Sequence, residues 1–245
     1  VNLDQISRWL EANKNKRFNE DICQVFYEVT KKEKFWFDLR STNIEQALRD
    51  IEPGKNVCID MDDLFKISEA FAMLIDSKSR FTYEHTKGIS EIVGNFASYL
   101  GYNPIMVKKL VIAANLHDIG KFVIPSEILE KPGKLDYKEF QRIKSHAYYT
   151  KLILKQVEGL EDIAEWAGNH HEKLNGTGYP EKLDWQRISR EDQIITLADV
   201  FQALTEDRPY REGMTPRKAM DIMEDMAGRG DICKEMLSHF KQVVL

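Results

Sequence analysis

The sequence has only three cysteines, Cys23, Cys58 and Cys233, far apart and without a C-x-x-C spacing. That argues against both a zinc ribbon and a disulfide framework and points to a reducing, cytoplasmic setting. Basic residues are not in excess: 35 Lys plus Arg stand against 40 Asp plus Glu, a net charge of -5. Nothing therefore marks a nucleic-acid polymer as partner, and an anionic ligand would need cations placed locally. No apolar run approaches the roughly 20 residues that cross a bilayer. The opening VNLDQISRWL lacks the basic-then-apolar pattern of a signal peptide. No membrane partner is expected for this segment. Strand-like alternation is scarce, and there is neither an internal repeat nor a low-complexity stretch.

What is present is helical periodicity. The 245 residues are 42% hydrophobic and 31% charged, which suits one globular domain with a small appendage. Apolar residues recur at helical intervals from Met61 to Asp76, Glu84 to Leu100 and Pro104 to Leu116. Further helices are predicted over Tyr137 to Lys155, Leu160 to His171, Glu191 to Leu204, Pro216 to Ala227 and Ile232 to Val244. The expected fold is all-α. Turn chemistry in EPGKN, residues 52–56, separates an N-terminal helical segment, 1–56, from residues 57–245. The aromatic cluster Phe35, Trp36 and Phe37 in that segment reads as packing rather than a ligand box. A second loop-rich stretch, Asn175 to Ser189, follows a pair of histidines directly. Val rather than Met at position 1 gives the expectation of a piece of a longer protein, with a sensor or anchor upstream.

Five of the six histidines sit beside features that a metal site needs; His239 is the exception. His117 and Asp118 end the apolar helix VIAANL, where Gly120 would let the chain turn. A bare His-Asp pair arises by chance in many chains and, alone, reads as a helix end with a capping histidine. His170 and His171, at the predicted end of another helix, would diverge by about 100° and grip a cluster only from its edge. An exposed polar helix end explains them equally well. His85 and His146 lie in helical segments, and Asp199 interrupts the apolar run IITLADVFQAL at an inward position, where an unpaired carboxylate would be costly. Together these supply five imidazoles and two carboxylates from separate helices, about what two metal ions require. Such mixed nitrogen and oxygen ligation suits Fe, Mn, Zn or Ni better than Ca or Mg.

In order, His85, His117-Asp118-Ile-Gly-Lys121, His146, His170-His171-Glu172 followed by NGTGYP, then Ala-Asp199-Val and Arg208-Pro-Tyr-Arg211, resemble an HD-GYP domain over about Val57 to Leu245. The flanking segments IPSEILEKPGKL and ADVFQALTEDRPYR resemble the family as well, and FWFDL resembles the linker before the second HD domain of tandem members. The resemblance implies a cyclic di-GMP phosphodiesterase that opens the cyclic dinucleotide to pGpG and onward to GMP. It implies one divalent ion held by His85, His117, Asp118 and Asp199, a second by Asp118, His146, His170 and His171, with Asp118 bridging. Iron or manganese is favoured, and zinc or nickel is compatible with the same donors. Two such metals can lower the pKa of a bridging water toward about 7 and orient the resulting hydroxide for attack on phosphorus.

Further roles follow from the same resemblance. Lys121 would stand beside the cluster and the scissile phosphate; Arg208 and Arg211 would fork onto the second phosphate. Gly176 and Gly178 would allow close backbone approach, Tyr179 would offer a ring face to a guanine, and Pro180 would stiffen the loop. Some members hold a third metal through a carboxylate four residues before the first histidine. Phe81 stands there, beside Glu84, so a binuclear site is expected. Asn175 and Gln202 replace aspartates that are common in the family, which bears on hydrogen bonding around the site and on substrate preference. Two alternatives are an HD phosphohydrolase acting on another nucleotide, such as cyclic GMP-AMP, and a catalytically weak cyclic di-GMP-binding signalling module. A homodimer through the N-terminal aromatics and an upstream sensor domain complete the expected partners.

Overall fold

The computed structural model describes residues 3–40, 58–78, 85–131, 133–207 and 212–245. The expectations placed on residues 52–56, Phe81, Glu84, Arg208 and Arg211 lie outside the described residues. Among the described residues there is no strand, only two isolated bridges, and the fold is all-α. The chain divides into two compact units, Val1–Cys58 and Ile59–Leu245.

The first unit contains α1 (Leu3–Asn13), α2 (Glu20–Thr30) and α3 (Glu33–Arg40). Asn19 caps α2 by accepting from the Asp21 N–H. Trp9 meets Phe18 edge-on, and Phe35 meets both Phe26 and Trp36 in the same way, so most of the aromatics pack on one another. Phe37 remains exposed.

The second unit contains α4 (Met61–Lys78), α5 (His85–Tyr99), α6 (Pro104–Leu116), a 3-10 helix (Ile119–Val123) and α7 (Ser126–Leu129). It continues with α8 (Tyr137–Leu154), α9 (Glu161–Gly168), α10 (Arg190–Thr205), α11 (Pro216–Gly228) and α12 (Lys234–Val244). Local chemistry sets the starts of these helices. Asn103 caps α6 and is followed by Pro104 at the first helical position. Asp136 with Glu139, and Ser189 with Asp192, form capping boxes that open α8 and α10. In α6, Leu110, Ile112, Ala113 and Ala114 are all fully buried, because the helix packs against α4, α5, α9 and α10. Its predominantly apolar sequence is that of an enclosed helix rather than a surface one.

The predicted helix Leu160 to His171 is shorter in the structure. It ends at Gly168, and Asn169 to His171 form a turn. Close packing leaves room only for glycine at the last helical position: a Cβ on Gly168 would come within 2.8 Å of the Lys151 Cβ. Beyond it, Asn169 is held by buried hydrogen bonds with Lys151 and Asp192. The Gly120 expectation also changes. This residue is not in the left-handed region but lies tight against α8, where a Cβ would meet the His146 carbonyl oxygen at 2.0 Å.

Candidate metal centre

Five stretches of the second unit converge on one buried cluster. His85 opens α5, His117 and Asp118 follow α6, His146 lies inside α8, His170 and His171 form the turn after α9, and Asp199 lies inside α10. All are buried except His171, which is half-buried. Ending α9 at Gly168 removes the expected divergence of the two adjacent imidazoles: their ring centroids are 4.0 Å apart, and both face the cluster.

The ligand atoms fall into three overlapping groups, each within 4.8 Å: His146, His170 and His171; His85, His117 and Asp199; and His117, Asp118 and His170. Asp118 stands between the halves, with Oδ1 3.2 Å from His146 Nε2 and Oδ2 3.2 Å from His117 Nε2. His85 Nε2 lies 3.4 Å from Asp199 Oδ1.

The donor set fits divalent cations for a reason internal to the rings. His117, His146 and His170 each direct Nδ1 to the backbone carbonyl three residues earlier, at 2.7, 2.7 and 2.6 Å. Those contacts fix the tautomer with the proton on Nδ1, leaving the Nε2 lone pairs to point into the cluster. His146 Nε2 and His170 Nε2 are then 3.2 Å apart, two acceptors facing each other without a proton to share. A bound cation resolves that conflict.

Electrostatics divides the imidazoles. Burial pushes His170 well below its ordinary value, with the neighbouring His171, His117 and His146 adding to the shift. Burial likewise takes His171 down to about 4. For His85 burial acts in the same direction, but hydrogen bonds with Asp199 and Glu206 outweigh it and raise the group to about 9. Burial would raise the Asp118 carboxyl, yet Lys121 and His117 hold it well below the usual carboxylate range.

These shifts set the pH response of protein stripped of metal. The raised His85 contributes stability that is complete below pH 6.5 and is lost as pH climbs through about 9. His171 stays neutral in the fold while its unfolded counterpart takes up a proton, so stability falls as pH drops from 6.5 toward about 4. Melting temperature after exhaustive chelation should therefore peak near pH 6.5. A steady rise from there to pH 9 would contradict the ion-pairing of His85.

Lys121 places its ammonium 2.5 Å from Asp118 Oδ2, one 3-10 turn along the chain. Tyr179 lies against His171, ring centroids 4.8 Å apart, with the Lys144 ammonium 5.1 Å from its own centroid. Its ring is thus already engaged by an imidazole and a cation. Gly178 approaches its own chain, since a Cβ there would come within 2.5 Å of the Lys173 nitrogen. Pro180 follows Tyr179 through a cis peptide bond. The buried Glu172 carboxylate fastens this loop, accepting from the backbone N–H groups of Glu181 and Leu183 at 2.6 and 3.0 Å. Asn175 turns away from the cluster: its amide NH2 donates to Asp231 at 2.9 Å, which a carboxylate could not do. A cavity of about 580 Å³ between α4, α5 and α6 is lined by none of the seven clustered residues.

Sequence reasoning missed Glu206 and Lys144. Glu206 follows Asp199 by seven positions, a helical repeat that marks a shared face but nothing more. Lys144 carried no signal.

Comparison with known proteins places these residues in context. The family model described as HD domain matches residues 69–232. The chain is 38% identical over 218 residues to the 3'3'-cGAMP-specific phosphodiesterase 1 of Vibrio cholerae, covering 87% of this chain and 51% of that one. It is 35% identical over 170 residues to a cyclic di-GMP phosphodiesterase of Thermotoga maritima, covering 69% and 46%. Among solved structures, the cyclic GMP-AMP-specific phosphodiesterase V-cGAP3 of V. cholerae aligns with a TM-score of 0.64 at 29% identity, over 99% of this chain and 56% of that one. The chain thus spans about half the length of the curated relatives it matches.

Proposed function

Because the chain belongs to the HD-domain family, in its HD-GYP form, we propose that it is a metal-dependent phosphodiesterase that hydrolyses cyclic di-GMP to pGpG and onward to GMP. The observation that carries this reading is the buried cluster of five imidazoles and two carboxylates with Asp118 shared between its halves. His85, His117, Asp118 and Asp199 would hold one divalent ion, and Asp118, His146, His170 and His171 the other, with Fe or Mn favoured. When bound, such ions lower the pKa of water and offset charge on a phosphoryl group.

The chain's own residues supply the rest. Lys121 offers an ammonium next to Asp118, where negative charge builds on the phosphoryl oxygens as the 3′ oxygen leaves. Arg208 and Arg211 are assigned to the second phosphate, where forked donors suit two oxygens. Gly178, Tyr179 and Pro180 form the loop, fastened by Glu172, that would border the substrate. Residues 57–245 constitute the catalytic domain in this reading, and 1–56 the remnant of a preceding one.

A second reading, cyclic GMP-AMP as the preferred substrate, is favoured by the relatives named for it, which match 87% and 85% of this chain. Elemental analysis and turnover of both dinucleotides after anaerobic reconstitution with Fe(II), Mn(II) or Zn(II) test both readings. Two ions per chain with faster cleavage of cyclic di-GMP are expected. Faster cleavage of the mixed dinucleotide selects the second reading, and tight binding without cleavage reassigns the chain to signalling by binding. Lys121→Ala should keep its metal and lose turnover by roughly 10²–10³-fold, the range for removing one charge-stabilising donor. Unchanged kcat in that variant would remove Lys121 from the reaction.

A further inference from the structure

His85 is oriented differently from the other buried imidazoles of the cluster. His117, His146 and His170 take their Nδ1 partner from the main chain, which no side-chain substitution can delete. His85 is the first residue of α5, so no preceding turn of that helix supplies the carbonyl. Its Nδ1 instead lies 2.9 Å from Oε2 of Glu206, the residue that caps the C-terminal end of α10. The Glu206 side chain is only 13% exposed, so water competes weakly for this contact. The same helix brings Asp199 to the other nitrogen of the ring. Gln202 lies between them in sequence, its amide against Gly88, where a Cβ would come within 2.4 Å. Thus α10 grips the start of α5 through Asp199, Gln202 and Glu206.

We infer that Glu206 is a positioning residue for the half of the centre formed by His85, His117 and Asp199, holding the His85 ring with Nδ1 protonated and Nε2 free to ligate. The inference rests on the metal-centre reading above. A carboxylate at Nδ1 restricts ring rotation and makes Nε2 a stronger donor, and loss of such a partner typically costs about 10–100-fold in metal affinity. In the other half, His146 and His170 have main-chain partners and do not depend on Glu206.

Competition of the full chain with a chelating dye for Zn2+ tests this, using Glu206→Ala and Glu206→Gln. Two Zn2+ sites are expected in the unsubstituted protein. In Glu206→Ala one site should weaken by about 10–100-fold while the other is unchanged. Glu206→Gln, which keeps an accepting oxygen without the charge, should fall between. Imidazole 15N spectra of the Zn2+-loaded protein should lose the protected His85 Nδ1–H signal in the alanine variant. Unchanged affinity at both sites would overturn the role of Glu206, as would equal weakening of both with a lowered melting temperature, the mark of a general structural contact. Failure of the unsubstituted protein to bind Zn2+ would overturn the metal-centre reading itself, and the inference with it.

Discussion

Asp118→Ala should abolish turnover and strip metal from the protein together. One oxygen of this carboxylate faces His146 and the other faces His117, so both halves of the cluster lose the same anion. The Lys121 ammonium also loses its partner and is left facing the imidazoles. Restoring the lost charge from solvent is blocked, because the position is almost completely enclosed. The loss should therefore far exceed the roughly 10–100-fold expected for an outer partner such as Glu206. Asp118→Asn preserves the shape but not the charge and should lose nearly as much. Elemental analysis alongside kinetics checks both effects. An alanine variant that keeps two ions per chain would show that Asp118 does not bridge.

Gly120→Ala should have the largest effect on folding. The 3-10 turn is fixed to α8 by the Gly120 N–H, which donates to Thr150 Oγ1, and by that hydroxyl, which donates to the His117 carbonyl. A new Cβ would meet the His146 oxygen at 2.0 Å and the Thr150 nitrogen at 2.6 Å. Both are backbone atoms, so relief requires separating α8 from the turn, which also separates His146 from Asp118. A cost of at least about 3 kcal/mol is expected. For a chain of this size that lowers the melting temperature by roughly 6–12 °C. Gly88→Ala is the natural comparison: its clash is with the end of the Gln202 side chain, which can swing aside, so its effect should be much smaller. Similar melting temperatures for the two variants would refute this account of Gly120.

The helices were legible because their apolar period and caps are local properties. Pro104 to Leu116 was read to its observed bounds, and Pro216 to Ala227 to within one residue. The end of α9 was not legible, since the residue just beyond it, Asn169, is held by Lys151 and Asp192, which lie on other elements. That error propagated to His170 and His171, whose joint orientation depends on the turn after Gly168. The seven clustered residues could be nominated from residue type and order, because metal chemistry restricts the donors to a few side chains. Glu206 could not, because a hydrogen bond from one helix end to another leaves no local pattern. Asn175 departs from the family's aspartate in plain view, but its partner Asp231 lies 56 positions later, so no local pattern marks the two side chains as complementary.

The clustered residues come from five stretches running from His85 to Asp199, and Cys23, Cys58 and Cys233 are all free thiols. An ion held there would be a removable cross-link in a chain that has no covalent one among its described residues. Joining positions this far apart restricts the unfolded chain; a closed loop of about 100 residues corresponds to about 4.7 kcal/mol in the chain-entropy treatment of a disulfide. A cell short of the metal would then lose more than the reaction. It would hold a looser polypeptide, opened more often to proteases, so the supply of one inorganic nutrient would govern how long each copy survives.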